Sequence, residues 1–230
     1  MTFVQIVDCK TDQVDALNSL MDTWVEQTKG RRTAARSIVG TDRENLRHVV
    51  EIVEFPSYEE AMRNSDLPET DRVFREMVAL CDEPPTFTNL DVVRDEQLNK
   101  LLATRFFEIA NGPDEAGLDE FVAEDYRDHD PAAPRQSASR EDLRRVMRMW
   151  KTGFDFRMTV EHMMADGDTV CCRWSMTGKH TGEFMDLLAT DKVVEMTGIT
   201  TMRFQDGMLR EAWWQYDNAG LMKQLGLIRM

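Results

Sequence analysis

The sequence predicts an α+β protein of two domains, and three observations lead to this prediction. Residues 1–95 follow the order β-α-β-β-α-β. Residues 96–230 place helical segments before a run of antiparallel strands. Tight turns join these later strands at Asp166-Gly167 and Asp206-Gly207, a dipeptide that is typical of β-hairpins. Helices segregated from an antiparallel sheet in this way favour the α+β class.

Length and composition limit the range of functions. A chain of 230 residues is long enough for two small domains, and its 42% hydrophobic and 30% charged residues are typical of globular proteins. The net charge of −14 argues against nucleic acid and anionic membrane surfaces as partners. Because we find neither a basic leader with an apolar run nor a long apolar segment, we expect a cytoplasmic protein without a membrane partner.

The four cysteines indicate neither a metal site nor a redox motif. Cys9, Cys81, Cys171 and Cys172 show no Cys-x-x-Cys spacing. The last two are adjacent on a predicted strand, so their side chains point to opposite faces and should not form a disulfide. We therefore expect reduced structural thiols and no bound metal or other cofactor.

The first half has the pattern of a ferredoxin-like βαββαβ domain. Its predicted elements are a strand at Phe3 to Asp8, a helix ending near Thr28, a hairpin of Thr33 to Val39 and Leu46 to Phe55, a helical region from Pro56 to Pro84, and a strand at Thr86 to Val93.

The second strand of the hairpin is apolar on both faces. Val50 and Ile52 lie on one face, and Val49, Val53 and Phe55 lie on the other. Helices would cover one of these faces. The other face should be buried in a homodimer, which we favour, or against the second domain.

The run Val50 to Phe55, followed by Tyr58-Glu59-Glu60-Ala61, resembles the antibiotic biosynthesis monooxygenase-like domain. This resemblance implies a dimeric α+β barrel. Some members are cofactor-free oxygenases of aromatic polyketides, whereas others bind haem or have no known activity. Trp24, Arg36 and His48 are residue types that such a pocket uses, as is Tyr58. Trp24 also lies on an apolar helix stripe, and His48 lies on an apolar strand face, positions that favour a place in the core or an interface.

The second half, residues 96–230, has helices, an acidic segment and four strands. Predicted helices cover Leu98 to Ile109, Leu118 to Val122 and Ser139 to Trp150, with an irregular turn at Tyr126 to Pro131 and a loop at Pro131 to Ser139 between the last two; strands cover Phe154 to Ala165, Thr169 to His180, Val193 to Phe204 and Met208 to Asp217.

The end of the last strand is the strongest candidate for a catalytic group. Alternation places Trp213, Gln215 and Asp217 on one face, with Trp214 and Tyr216 on the other. An acid beside an indole and an amide suits a proton-transfer pocket, because apolar neighbours raise a carboxyl pKa towards neutrality. Asp217 is equally well placed to cap the N-terminus of the following helix, and the sequence leaves both interpretations open.

Several spaced motifs resemble the SnoaL-like polyketide cyclase family: Asp128-His129-Asp130-Pro131, Thr181-Gly182-Glu183-Phe184-Met185, Thr197-Gly198-Ile199, Asp206-Gly207, and Trp213-x-x-x-Asp217-x-x-Gly220-Leu221-x-x-Gln224-Leu225-Gly226. The resemblance covers residues from about Glu96 to the end. It implies a ketosteroid isomerase-like cone, in which helices close a curved sheet over a deep pocket. It also implies an aldol-type ring closure without metal or cofactor, with Asp217 at the position of the catalytic acid/base.

The remaining candidate site residues belong to this predicted pocket. The resemblance places His129 at the pocket mouth, although a solvated position on a turn is equally consistent. Trp174 and Met176 share a strand face with His180, which lies at one end of the sheet beside the Thr181 to Asp191 loop, a candidate lid. Some family members bring a histidine towards the acid from the preceding strand. Residues 191–211 contain no histidine, and Arg203 is a basic residue in that region.

The sequence therefore favours a small-molecule enzyme of polyketide or related secondary metabolism. Asp217 would be the acid/base, assisted by His129 or His180, and Trp213, Gln215, Trp174, Arg203 and Met176 would bind a polycyclic or aromatic substrate. Cyclisation is the first prediction. Cofactor-free hydroxylation is the alternative within enzymes, and a non-catalytic binding or self-resistance protein is the alternative outside them.

Overall fold

The computed structural model describes residues 2–95, 97–130 and 138–228. The chain divides into two compact units, Met1–Asp95 and Glu96–Met230. Across the helices that the structure describes, none is long and apolar enough to cross a membrane. The four cysteines are free thiols.

Within residues 2–95, the first unit has four strands and three helices. They are β1 (Phe3–Lys10), α1 (Val14–Gln27), β2 (Arg36–Thr41), β3 (His48–Phe55), α2 (Tyr58–Ser65), α3 (Pro68–Leu80) and β4 (Thr86–Asp91).

The four strands of the first unit form one antiparallel sheet in the order β2-β3-β1-β4. This order is compatible with the predicted ferredoxin-like arrangement. The predicted second helical region is divided in two, because Ser57 caps α2 and Pro68 begins α3 at a position where proline is favoured. One face of the sheet packs on the helices, with Val7 and Val49 buried against Leu17 and Leu20 of α1.

The second sheet face of this unit carries the other half of the alternating side chains. Val4, Ile6, Val50 and Ile52 are half-buried there, and Leu90 is exposed. The register aligns Ile6 with Ile52 and Val4 with Leu90, so these side chains form one apolar patch.

The described residues of the second unit form five strands, three α-helices and a 3-10 helix. They are α4 (Leu98–Asn111), the 3-10 helix (Ala116–Glu120), β5 (Val122–His129), α5 (Arg140–Gly153), β6 (Phe154–Asp166), β7 (Thr169–His180), β8 (Val193–Gln205), β9 (Met208–Tyr216) and α6 (Asn218–Leu225).

The sheet of the second unit has the order β5-β9-β8-β7-β6. Strands β6 to β9 form the predicted antiparallel meander, and β5 adds to it in parallel with β9. The core is formed by α4, α5 and the inward faces of the strands, with Phe106, Trp174 and Phe204 among its fully buried side chains. The predicted α+β class is confirmed.

In the second unit, one local prediction is wrong and the bounds of another are shifted. Tyr126 to His129 belongs to strand β5, not to an irregular turn, because β9 supplies hydrogen-bonding partners from Arg127 to His129. The predicted short helix at Leu118 to Val122 is the 3-10 helix Ala116–Glu120, and β5 already begins at Val122. The predicted loop at Pro131 to Ser139 lies largely outside the described residues.

Candidate active site

A cavity of about 80 Å³ lies inside the second unit, and we call it the C-terminal cavity. Its lining is mostly apolar and aromatic, with two carboxylates and one lysine among the polar side chains. The lining residues are Phe106, Ala110, Asp128, Asp130, Leu143, Val146, Met147, Trp150, Lys151, Phe156, Met158, Trp174, Met176, Met196, Trp214 and Tyr216.

Two neighbouring strands bring the polar groups to this cavity. Side chains alternate along a strand, so Asp128 of β5 and Asp130 just beyond its end point to the same side. The parallel pairing of β5 with β9 aligns Asp128 with Ala212 and His129 with Trp213. Trp214 and Tyr216 of β9 therefore lie near the two carboxylates.

Two hydrogen bonds inside the second unit hold the Asp128 carboxylate. The Trp214 indole Nε1 donates to Asp128 Oδ1 at 2.7 Å, and the Tyr126 hydroxyl donates to the same oxygen at 3.1 Å. Asp128 is only 5% exposed, and Tyr126 is fully buried. Burial raises the pKa of Asp128 to about 6, the Asp130 charge adds to the rise, and the two donors oppose it.

Asp130 is paired with the phenol of Tyr216. The Tyr216 hydroxyl lies 3.0 Å from Asp130 Oδ1 and 2.9 Å from Oδ2, and it donates to this carboxylate. Burial, followed by the neighbouring charge of Asp130, raises the pKa of Tyr216 above its ordinary value. Tyr216 therefore stays a proton donor at neutral pH.

Aromatic rings form the walls of the C-terminal cavity. The Trp174 indole donates from Nε1 to Thr200 Oγ1 at 2.8 Å, which satisfies its polar atom inside the core. Its ring passes so close to Gly198 that a Cβ there would lie 2.3 Å from Trp174 Cζ2. Trp150 packs against Phe184, with ring centroids 4.6 Å apart. Hydrogen bonds and close packing thus fix the shape of these walls.

Asp217 lies outside this cavity, on the exposed side of the junction between β9 and α6. Its Oδ1 accepts a hydrogen bond from the Gly220 backbone N–H at 2.7 Å, as an N-cap residue does. A Cβ at position 220 would lie 2.1 Å from Asp217 Oδ2, so glycine allows this close approach. The geometry supports the capping interpretation, and the catalytic role of Asp217 stays a prediction.

The face of β9 that we expected to line a pocket is the outer one. Trp213 is 38% exposed and Gln215 is also exposed, whereas Trp214 and Tyr216 face the cavity. His129 is exposed as well, and its ring stacks on Trp213 at a centroid distance of 5.0 Å. The expected placement is corrected because the core lies on the side of the even-numbered residues of β9.

The other predicted site residues are divided between the cavity and its surroundings. Trp174 and Met176 line the C-terminal cavity. Arg203 is instead paired with Glu211 at 3.3 Å on the outer face of the sheet. His180 is fully buried at the end of β7, where Thr190 donates to its Nδ1 through both its hydroxyl and its backbone N–H. It is not among the described residues that line the cavity.

The residues that are most polar inside the cavity have no individual role in the sequence-based prediction. Asp128 and Asp130 belong to a predicted acidic turn and to a motif of the family resemblance, and Trp214 and Tyr216 lie on the face opposite the predicted pocket. The alternation of Tyr126, Asp128 and Asp130 was the available signal, because it marks one face of a strand. Across the described ranges, no cluster of three His, Cys, Asp or Glu side chains could hold a metal ion.

Solved structures share the fold of the second unit. AclR from Streptomyces galilaeus, a proposed hydroxylase, is 26% identical, with a TM-score of 0.52 over 57% of this chain and 83% of AclR. TsrD from Streptomyces laurentii is 24% identical, with a TM-score of 0.53 over 59% of this chain and 99% of TsrD. A proposed SnoaL-like polyketide cyclase from Jannaschia sp. CCS1 is 19% identical, with a TM-score of 0.53 over 61% of this chain and 99% of that protein. Because the last two proteins are less than 25% identical to this chain, their similarity shows a shared fold only.

A comparison with curated proteins finds no match. The sequence profile of the SnoaL-like polyketide cyclases matches residues 100–225 of the 230 in the chain. The matched segment is more than half of the chain, and it contains β5, β9 and all the residues that line the C-terminal cavity. The chain therefore belongs to the SnoaL-like polyketide cyclase family.

Proposed function

We propose that this protein is an enzyme of polyketide or related secondary metabolism that uses Asp128 as a general acid/base in the C-terminal cavity. One observation carries the proposal: the Asp128 carboxyl is buried among aromatic rings, and its pKa of about 6 lies near neutrality. Such a group is mostly ionised at physiological pH but still takes up a proton readily, so it can both accept and return a proton. The hydrogen bonds from Trp214 and Tyr126 both end on Oδ1. The other oxygen, Oδ2, would exchange the proton.

An aldol-type ring closure is the reaction that this arrangement supports best. Asp128 would take a proton from a carbon next to a carbonyl group, and the resulting enolate would attack a second carbonyl carbon of the same molecule. The new carbon–carbon bond leaves an alkoxide, and the protonated Asp128 returns the proton to it. No net proton, electron or atom is gained or lost in this sequence, so Asp128 suffices as the catalyst.

Asp130 and Tyr216 would orient the reacting part of the substrate. Tyr216 keeps its proton, and its hydroxyl is held by Asp130. The cavity volume of about 80 Å³ is smaller than the roughly 300 Å³ at the lower end of typical ligand sites. The enclosed part would therefore hold the reacting ring or side chain, and not a complete polycycle.

Hydroxylation is the second candidate reaction, because AclR is named as a proposed hydroxylase. Both reactions begin with proton removal from carbon, so Asp128 would act first in either. They differ in their products. Ring closure conserves the composition of the substrate or releases water. Hydroxylation adds one oxygen atom, which would come from dioxygen, and it needs an external two-electron reductant because the second oxygen atom leaves as water.

Incubation with a panel of aromatic polyketides that carry a methylene group between carbonyls tests the proposal. Chromatography with mass spectrometry separates ring closure from oxygen addition. We expect turnover by the wild-type protein and a loss of about a hundredfold or more in Asp128→Asn, which keeps shape but cannot exchange the proton. Tight binding of a panel member without conversion would instead favour the non-catalytic binding protein.

We also propose that two copies of the chain associate through the second sheet face of the first unit. Support comes from the apolar patch around Ile6, Ile52 and Leu90, which would otherwise remain in contact with water. Light scattering at micromolar concentration should give the mass of a dimer. Leu90→Asp should shift the mass towards the monomer, whereas Asn89→Asp, on the opposite face of the same strand, should leave it unchanged. A wild-type monomer at all concentrations would disprove the association.

A further inference from the structure

A second cavity, of about 100 Å³, lies within the first unit between the sheet and the helices, and we call it the N-terminal cavity. Glu51 and Val53 of β3 form part of its floor, and Trp24 of α1 forms part of its wall. Phe74 of α3 and Phe87 of β4 are 36% and 44% exposed, so they mark an opening to solvent. This cavity is separate from the C-terminal cavity and shares no residue with it.

Glu51 places a carboxylate inside this largely apolar space. Its Oε1 accepts one hydrogen bond, from the Ser37 hydroxyl at 2.7 Å. Burial raises the pKa of Glu51, and the bond from Ser37 opposes that rise. Among the described residues, no lysine, arginine or histidine contributes to the shift. When it is ionised, this half-buried carboxylate therefore has no cationic partner among the described residues, whereas charges removed from water normally have one.

Three aromatic residues, Trp24, Phe74 and Phe87, line the same cavity as Glu51. The Phe74 and Phe87 rings lie 5.6 Å apart at the opening. Trp24 donates its Nε1 to Thr70 Oγ1 at 3.0 Å, which satisfies the indole polar atom and leaves its ring as apolar wall. Aromatic faces attract organic cations, most strongly where water is partly excluded. The net charge of −14 would also raise the local concentration of cations around the protein.

We propose that the N-terminal cavity binds a small organic ammonium ion, with its charged nitrogen on the Glu51 carboxylate and its apolar body among Trp24, Phe74 and Phe87. The cavity is smaller than an engineered cavity of about 150 Å³ that binds benzene in another protein, so a ligand of about one ring would lie partly in the opening between Phe74 and Phe87. This inference concerns the first unit alone, and it does not depend on the proposed function of the second.

A cation fits this cavity better than a neutral ligand of the same shape. A neutral ring would bury apolar area but would leave the Glu51 carboxylate without a counter-charge. An ammonium group would supply that counter-charge and charge-assisted hydrogen bonds, which are stronger than neutral ones. A carboxylate or phosphate ligand is disfavoured because it would place a second negative charge beside Glu51.

Calorimetric titration of the full chain with benzylammonium and with benzyl alcohol, a neutral ligand of nearly the same shape, tests the proposal. We expect the wild-type protein to bind benzylammonium at least tenfold more tightly at neutral pH. Glu51→Gln should remove this preference. Glu54→Gln is the matched control, because it lies three residues along the same strand and on the opposite face, and it should keep the preference.

The indole N–H signals in a nitrogen–proton NMR spectrum report which cavity is occupied. The Trp24 signal, identified by its absence in Trp24→Phe, should shift on addition of benzylammonium. Shifts confined to Trp150, Trp174 and Trp214 would assign the binding to the C-terminal cavity and would overturn the proposal. Equal affinity for the two ligands, or an unchanged preference in Glu51→Gln, would also overturn it.

A second variant keeps the test decisive if Glu51→Gln does not fold. Phe74→Leu changes a partly exposed residue and removes one aromatic ring from the opening. We expect it to weaken benzylammonium binding several-fold and to change benzyl alcohol binding less. Equal weakening for both ligands would indicate lost contact area alone and would contradict the cation site.

Discussion

The two faces of strand β9 carry similar residues in opposite environments. On the inner face, Trp214 and Tyr216 donate hydrogen bonds to Asp128 and Asp130 inside the C-terminal cavity. On the outer face, Trp213 is in contact with the exposed ring of His129. The residue types alone do not distinguish these faces, since each has an indole near an acid.

Asp128 and Asp217 show what burial adds to an acid. Asp128 is buried, and its pKa rises to about 6. Asp217 is exposed, and its carboxylate accepts a backbone N–H at the start of α6. A carboxylate near aromatic residues in sequence therefore becomes a candidate acid/base only when the fold removes it from water.

The largest expected difference between the two acids is in turnover. In an assay for whichever product the protein forms, Asp128→Asn should lower kcat by about a hundredfold or more, because the amide cannot carry the proton. Asp217→Asn should leave kcat within about twofold, because asparagine caps helices nearly as well as aspartate. The reverse result, with Asp217→Asn inactive and folded, would restore Asp217 as the catalytic acid/base.

The second expectation concerns stability and pH. Asp128 has a folded-state pKa of about 6 against its ordinary 3.8, so the folded protein binds more protons than the unfolded chain between these values. Its contribution to the free energy of unfolding therefore falls as pH rises through this window, by about 3 kcal/mol in total. Asp128→Asn lacks this loss, because the amide does not ionise.

Urea unfolding at about pH 4 and about pH 8 measures the effect. The free energy of unfolding of Asp128→Asn, relative to the wild type, should increase by up to about 3 kcal/mol from the lower to the higher pH. Asp217→Asn is the control and should show no comparable change. A constant difference between Asp128→Asn and the wild type would show that Asp128 is not desolvated.

The third expectation compares neighbouring residues on the two faces of β9. Tyr216→Phe removes the phenol that donates to Asp130, and it should cost about 1–3 kcal/mol because a buried carboxylate loses a donor. Gln215→Ala changes an exposed side chain and should stay within about 0.5 kcal/mol. Thermal or denaturant unfolding measures both. Equal costs would contradict the assignment of inner and outer faces.

The smallest expected effect tests the helix cap. Asp217→Ala removes the acceptor for the Gly220 N–H and should lower the free energy of unfolding by about 1 kcal/mol, whereas Asp217→Asn should lower it by much less. Equilibrium unfolding by circular dichroism measures the difference. A loss in Asp217→Asn as large as that in Asp217→Ala would show that capping is not the main role of this carboxylate.

The sequence alone determined the α+β class and the four antiparallel strands of the second unit. These predictions held because hydrophobic alternation and Asp-Gly turns are local signals, and the structure has β6 to β9 close to the predicted ranges. The motifs spaced between Asp128 and Gly226 likewise pointed to the family that matches residues 100–225.

Only the tertiary structure decided which face of β9 is inside and which acid is buried. Alternation divides Trp213 to Asp217 into two sets, but both sets contain aromatic residues, so the pattern does not tell which set faces the core. The pairing of β5 with β9 decides this, because it joins residues more than eighty positions apart and turns Asp128 towards the core. Burial of a carboxylate, and with it a pKa near neutrality, depends on such long-range contacts and cannot be obtained from neighbours in sequence.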